Sequence, residues 1–191
     1  MDHKAYFKDM LEEHNNLFSR VSDIASNIIT AGELLIDTIK KKNKILICGN
    51  GGSASDSQHF AAELIGRFEK DRKAMPAVAL TTDTSILTAL GNDYGYDSIF
   101  ARQVEGLANS GDTVVGISTS GNSKNVIYAI ESAKKFGVRT VGLLGRDGGK
   151  LSSIVDLPVI VNHPVTARIQ EVHIFILHFW SGILENYLET L

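Results

Sequence analysis

Among 191 residues there is one cysteine, Cys48. No disulfide can form within the chain. The thiol closes the apolar run Lys44-Ile45-Leu46-Ile47-Cys48, where a buried strand thiol is expected and a reactive one is the alternative. Only three prolines occur, the first at Pro76, so nothing interrupts residues 2–42, which read as helix. No stretch of about 18 apolar residues exists, which excludes a membrane-spanning helix. The opening Met1-Asp2-His3-Lys4 has neither the apolar core of a signal peptide nor a transit-peptide bias, and a soluble cytoplasmic protein is expected. Charge of either sign is not in surplus. A formal net charge of −3 and a pI near 6.1 give no electrostatic reason to expect nucleic acid or an anionic membrane as a partner. No internal repeat, low-complexity segment or linker divides the chain.

What is present suits one domain with a sizeable core, at 43% hydrophobic residues. Tyr6, Phe7, Met10, Leu11, His14, Leu17, Phe18, Val21, Ile24, Ala25 and Ile28 trace one apolar stripe, with a break or second helix expected near Gly32. The stripe exceeds what a small core needs. Residues 1–42 are therefore expected to pack against another copy of the chain, and residues 43–191 to form the main domain. Strand-like and helical runs alternate from residue 44: strands at 44–48, 77–81, 112–117, 138–144 and 155–161, helices at 54–66, 84–91, 97–108, 123–136 and 166–189. The alternation predicts an α/β, three-layer sandwich around a five-stranded, mainly parallel sheet, with a long N-terminal helix. Ligands in such sheets bind beyond the carboxyl ends of the strands, which sets the loops Gly49–Ser53 and Ser118–Ser123 side by side.

The second loop, Gly116-Ile117-Ser118-Thr119-Ser120-Gly121-Asn122-Ser123, is the richest in information. An apolar strand runs into four hydroxyls and a glycine, and a helical pattern follows. Backbone N–H groups at a helix start attract anions, and hydroxyls add donors without charge. No lysine sits in the turn, so it is not a nucleotide P-loop. The plain alternative is a serine-rich cap on an ordinary helix.

The first loop, Gly49-Asn50-Gly51-Gly52-Ser53, lacks the spacing of a dinucleotide fingerprint, and its glycines are better suited to letting backbone approach a small polar ligand. Further along, His59 and Glu63 are four residues apart, one turn along one helix face, with Asp56 close to it and Arg67 one turn beyond. Such a pair can be an acid/base couple, two metal ligands, or a surface ion pair. The last helix opens at Thr166 and carries Gln170, His173 and His178 in apolar surroundings. His173 and His178 lie about 140° apart and cannot serve one small site together, whereas Gln170 and His178 could meet only from opposite ends of a pocket.

The segments CGNGGSASDSQHFAAELIGRF (48–68), LGNDYGYDSIFARQVE (90–105), GDTVVGISTSGNSKNV (111–126), GRDGGKL (145–151) and ARIQEVHIFILH (167–178) together resemble the sugar isomerase (SIS) domain family, with its flavodoxin-like sheet, and within it the phosphoheptose isomerases. The resemblance covers nearly the whole chain. It implies an aldose–ketose isomerase that converts sedoheptulose 7-phosphate to D-glycero-D-manno-heptose 7-phosphate, an early step toward lipopolysaccharide or other surface glycans. It implies Glu63 as base and His178 as acid, and one zinc ion held by His59, Glu63, Gln170 and His178. Substrate contacts implied are Asn50, Gly51, Gly52, Ser53, Glu63, Arg67, Asn92, Asp93, Ser118, Thr119, Ser120, Ser123 and Gln170. It also implies a homotetramer with sites near subunit interfaces. Glutamine is a weak zinc ligand and a zinc-held carboxylate loses basicity, so the metal is expected to bind loosely. Some family members have an acidic residue where this chain has Ala167, and Thr166 could supply the missing contact. Relatives in the superfamily that bind a replication initiator protein, or that sense sugar phosphates without catalysis, are the alternatives. The presence of both Glu63 and His178 separates this chain from the first, and equilibrium binding without turnover would mark the second.

Overall fold

The computed structural model describes residues 1–189. Residues 2–42 are largely helical but in two pieces: α1 (His3–Phe18) and α2 (Ala25–Lys40), joined through a 3-10 turn at Val21–Ile24. The break falls there and not at Gly32. Asp2 caps α1, its carboxylate accepting from the Lys4 N–H at 2.9 Å. Gly32 sits inside α2 because the last helix crosses close by: a Cβ there would meet Trp180 Cδ1 at 3.0 Å. Trp180 is fully buried and donates Nε1–H to the Ile28 carbonyl at 2.9 Å, which fixes that crossing.

The remaining elements are β1 (Ile45–Gly49), α3 (Gly52–Ile65), β2 (Ala77–Ala79), α4 (Thr84–Asp93), α5 (Ile99–Leu107), β3 (Thr113–Ser118), α6 (Lys124–Lys135), β4 (Arg139–Gly145), α7 (Leu151–Ile154), β5 (Leu157–Val161) and α8 (Thr166–Glu189). The five strands form one sheet in the order β2-β1-β3-β4-β5, and every pairing is parallel. β1 and β3 are buried along their whole length, as their unbroken apolar sequences require of strands covered on both faces. One layer of core joins α2, α3 and α8 to the sheet through Leu35, Phe60, Leu64, Val172 and Trp180. The other joins α5, α6 and α7 through Phe100, Val104, Ile130 and Leu151.

Two consequences bear on function. The chain leaves β1 toward β2 on one side and returns to β3 on the other, so β1 and β3 flank the switch point of the sheet, and Gly49 is in register with Ile117. The outer face of α1 stays uncovered, with Tyr6, Phe7, Met10 and Leu11 exposed. An apolar groove of about 340 Å³, lined by Phe18, Val21, Ala25, Ile28, Phe175 and Phe179, continues that face between α2 and α8. Among the described residues, no helix is long and apolar enough to cross a membrane.

Candidate functional site

The hydroxyl loop leaves β3 at the switch point. Ser123 occupies the N-cap position of α6, yet its side chain makes no capping bond. Its Oγ lies 3.0 Å from Ser118 Oγ, which is 3.5 Å from Ser120 Oγ. Three hydroxyls thus gather at the end of β3 at the start of α6, where Ser123 makes no capping bond and the Val126 N–H donates to Asn125 Oδ1 at 3.0 Å. Backbone N–H groups at such a helix start, with hydroxyls beside them, can take an anion. Thr119 is half-buried in the same turn. Gly121 shapes the turn with φ +66°, and the loop 145–150 lies so close that a Cβ on Gly121 would strike the Gly148 carbonyl.

The neighbouring loop after β1 is built for proximity. Asn50 Nδ2–H donates to Asn125 Oδ1 at 2.9 Å, and Asn125 Nδ2–H donates back to Asn50 Oδ1 at 2.8 Å. Tyr96 donates its hydroxyl to the same Asn50 oxygen at 3.1 Å. This pair of amides ties the two loops together, so the Asn50 side chain is engaged in structure. Gly51 and Gly52 are exposed and Ser53 is buried behind them. The Gln170 side chain lies against Gly52, with Cδ 2.9 Å from where a Cβ would stand.

α3 and α8 run side by side in the same direction, since Gly52 faces Gln170 and His59 faces His178. His59 Nε2 is 2.9 Å from His178 Nε2 and 3.3 Å from Glu63 Oε1. His59 therefore stands between the His178 imidazole and the Glu63 carboxylate, with Glu63 the more covered of the ion pair at 20% side-chain exposure against 42% for His59. Gln170 stands eight residues, about 12 Å of helix rise, before His178. Three of the four residues implied as metal ligands are brought together and Gln170 is at the far end of the site.

The donor set suits zinc, which commonly takes two histidines and a glutamate at catalytic centres. Ligand atoms around a tetrahedral ion with bonds of about 2.05 Å stand about 3.3 Å apart. The His59–Glu63 separation of 3.3 Å meets that spacing, and the His59–His178 contact of 2.9 Å is shorter. As placed, no group of three or more His, Cys, Asp or Glu side chains among the described residues is arranged to hold a metal ion. The chemistry fits, and the imidazole pair must open slightly to accept the ion.

Asp56, one turn before His59, is half-buried and its Oδ2 has no hydrogen-bond partner. Burial pushes its carboxyl up to about 6, against the opposing pull of His59. His173 is fully buried, its Nε2 3.1 Å from the Leu144 carbonyl and its Nδ1 without a partner. Burial pushes it down to about 4, so it is a neutral core residue on a different face from His178. Cys48 is buried and its thiol is pushed up to about 12 by burial, which leaves it unreactive. Arg67, Asn92 and Asp93 are exposed. Asn92 Nδ2–H donates to Asp93 Oδ1 at 2.7 Å, on a helix, α4, that buries none of its residues.

The SIS domain family model matches residues 9–145. The chain belongs to the SIS domain family. A phosphoheptose isomerase of Geobacter sulfurreducens (strain ATCC 51573 / DSM 12127 / PCA) is 58% identical over 166 residues, covering 87% of this chain and 88% of that protein. One of Campylobacter concisus (strain 13826) is 54% identical over 175 residues, covering 92% of this chain and 93% of that protein. The solved structure of a phosphoheptose isomerase from Neisseria gonorrhoeae superposes with a TM-score of 0.91 at 43% identity, covering 96% of this chain and 98% of that one.

In this SIS domain, sequence reasoning missed Asn125, Tyr96, Phe68, Arg72 and Glu185. The first two hold Asn50. Phe68 stacks obliquely against His178, with ring centroids 5.6 Å apart. Glu185 gave a readable signal, an acid following Ile183 and Leu184 in a mainly apolar helix, which needs partners when buried. Arg72 gave none.

Proposed function

We propose that this chain interconverts sedoheptulose 7-phosphate and D-glycero-D-manno-heptose 7-phosphate, supplying heptose for lipopolysaccharide or another surface glycan. The observation that carries the reading is the meeting of Glu63, His59 and His178 on two parallel helices, next to a switch-point loop with three converging hydroxyls. Relatives at about half identity over nearly the full chain, named phosphoheptose isomerase, support the same chemistry.

Ser118, Thr119, Ser120 and Ser123 bind the phosphate and set the sugar's position. Glu63 takes a proton from C1 of the ketose, next to the C2 carbonyl. The electron pair moves into the C1–C2 bond, and O2 receives a proton from His178, giving the enediol. His178 then removes the proton from O1 as Glu63 returns its own to C2, and the aldose results. His59, with Nε2 2.9 Å from His178 Nε2 and 3.3 Å from Glu63 Oε1, stands between them and holds them in register. A bound zinc, held loosely at His59, Glu63 and His178, would supply polarisation of the substrate carbonyl, and Gln170 would become a further donor only by turning away from Gly52.

The proposal includes a cytoplasmic homotetramer. The exposed α1 stripe and the apolar groove beside it are the surfaces offered to other copies. Arg67, Asn92 and Asp93, exposed in one copy, reach substrate at sites completed across those contacts. An assay for heptose 7-phosphate formation from sedoheptulose 7-phosphate, with and without chelator, tests the reading. Turnover that chelator reduces and added zinc restores is expected. A folded, zinc-supplied protein with no turnover would overturn the isomerase reading, and full activity in chelator would overturn the metal alone.

A further inference from the structure

Glu185 lies two turns beyond His178 on α8, on nearly the same face. Its side chain is 2% exposed. The carboxylate accepts from three successive main-chain N–H groups, those of Phe68 at 3.2 Å and of Glu69 and Lys70 at 3.0 Å each. Arg72 Nε stands 3.4 Å from Oε1 as an ion pair without hydrogen-bond alignment. Burial raises the Glu185 pKa, but the three N–H groups and Arg72 prevail and hold it below the ordinary carboxylate value.

Arg72 is nearly as buried, at 4% side-chain exposure. Its guanidinium donates to the carbonyls of Glu63 and of Leu64 (2.7 Å), and to those of Gly66 and Lys73 (3.2 Å each). Two of these are the carbonyls that the end of α3 leaves unpaired. One buried ion pair therefore links the end of the helix that carries Glu63 to the helix that carries His178. The strap between them presents Phe68, whose ring lies over Gly182 and packs against His178 on α8, while His59 lies within hydrogen-bond reach of His178 Nε2. A buried ion pair is often no more stabilising than apolar residues of the same volume. What this one fixes is the placement of the strap.

We propose that Glu185 is a positioning residue: through the main chain of residues 68–70 it seats Phe68 against the His178 ring, and through Arg72 it locks that seat to the end of α3. The proposal rests on the isomerase reading for its kinetic consequences, and its test includes a readout that does not need turnover. Phe68→Leu and Glu185→Gln should each lower kcat at least about tenfold with KM within about twofold, because a displaced acid weakens only the transition state. Glu185→Asp, which keeps the charge on a shorter stem, should recover part of the loss. The Phe68→Leu/Glu185→Gln double variant should be no more than about twofold worse than the weaker single one, since both act through one contact. In the free protein, the ring ¹⁵N resonances of His178 should move in both single variants. A folded Phe68→Leu protein with wild-type kcat, unmoved His178 resonances, or fully additive losses in the double variant would each overturn the proposal. If Glu185→Gln does not fold, Phe68→Leu decides alone. A wild-type protein without turnover refutes the isomerase reading, and the His178 resonances still decide the positioning role.

Discussion

Gly52→Ala separates folding from function in this site. Gly52 begins α3, and the Gln170 amide lies where its Cβ would go, with Cδ at 2.9 Å. The amide nitrogen lies nearer still and sets the clash, so with contacts of about 3.5–4.0 Å the amide must retreat by more than about 1 Å. The group that yields is the free end of a flexible side chain, not backbone. The strain is therefore expected well below the roughly 1–3 kcal/mol of true overpacking, and alanine's helix preference over glycine, up to about 1 kcal/mol, offsets part of it. The melting temperature should stay within about 2–4 °C of wild type, the shift of roughly 1 kcal/mol in a domain of this size. Activity should respond differently. A misplacement near 1 Å can cost about 10²-fold, so kcat/KM should fall about 10- to 100-fold, or about 1.4–2.7 kcal/mol of transition-state stabilisation. Thermal unfolding and steady-state turnover of sedoheptulose 7-phosphate measure the two effects. A variant with kcat/KM within twofold of wild type would refute the placement of Gln170 in the site.

Replacing Ser120 and Ser123 with alanine should raise KM more than it lowers kcat, because phosphate contacts exist equally in ground and transition states; an unchanged KM would remove the loop from substrate binding. His173 sits near 6.5 when unfolded and is pushed down to about 4 by burial, so between these values the unfolded chain binds the extra proton. Stability from His173 is therefore complete above about pH 6.5 and is lost as pH falls toward 4, by about 3 kcal/mol in all. His173→Gln should melt lower at pH 7, show a flatter loss of melting temperature across that window, and keep kcat within about twofold, since it lies away from the reacting groups. An unchanged slope, or a folded variant without turnover, would contradict its structural role.

The number and type of the strands were legible because β1, β3 and β4 are apolar runs separated by helical spacing, and the parallel sheet follows from that alternation. The division of residues 2–42 was not, because no proline or glycine marks Ser19–Ile24 and the apolar stripe continues through it. Gly32 suggested a break on local grounds, whereas its small size serves a crossing with Trp180 that only the tertiary structure reveals. α7 is four residues long and too short to carry a period. In the site, the one-turn spacing put His59 and Glu63 on one face but left their use open, and the angle around α8 said only that His173 and His178 cannot share a site; the choice of His178 came from the family resemblance. The Asn50–Asn125 pair joins residues 75 apart in sequence, and the Glu185 strap joins residues more than 110 apart. No local pattern encodes such pairings, although a buried acid in an apolar helix demands some partner.

The central claim is that Glu63 moves a carbon-bound proton, and isotope exchange tests it most directly. Sedoheptulose 7-phosphate incubated with the zinc-supplied protein in deuterated water, followed by NMR, should show deuterium at C2 of the aldose and at C1 of the recovered ketose. Glu63→Gln keeps the size of the side chain and removes the base, so exchange and product formation should fall at least about 10²-fold while the substrate still binds. Exchange at the wild-type rate in folded Glu63→Gln would contradict the account.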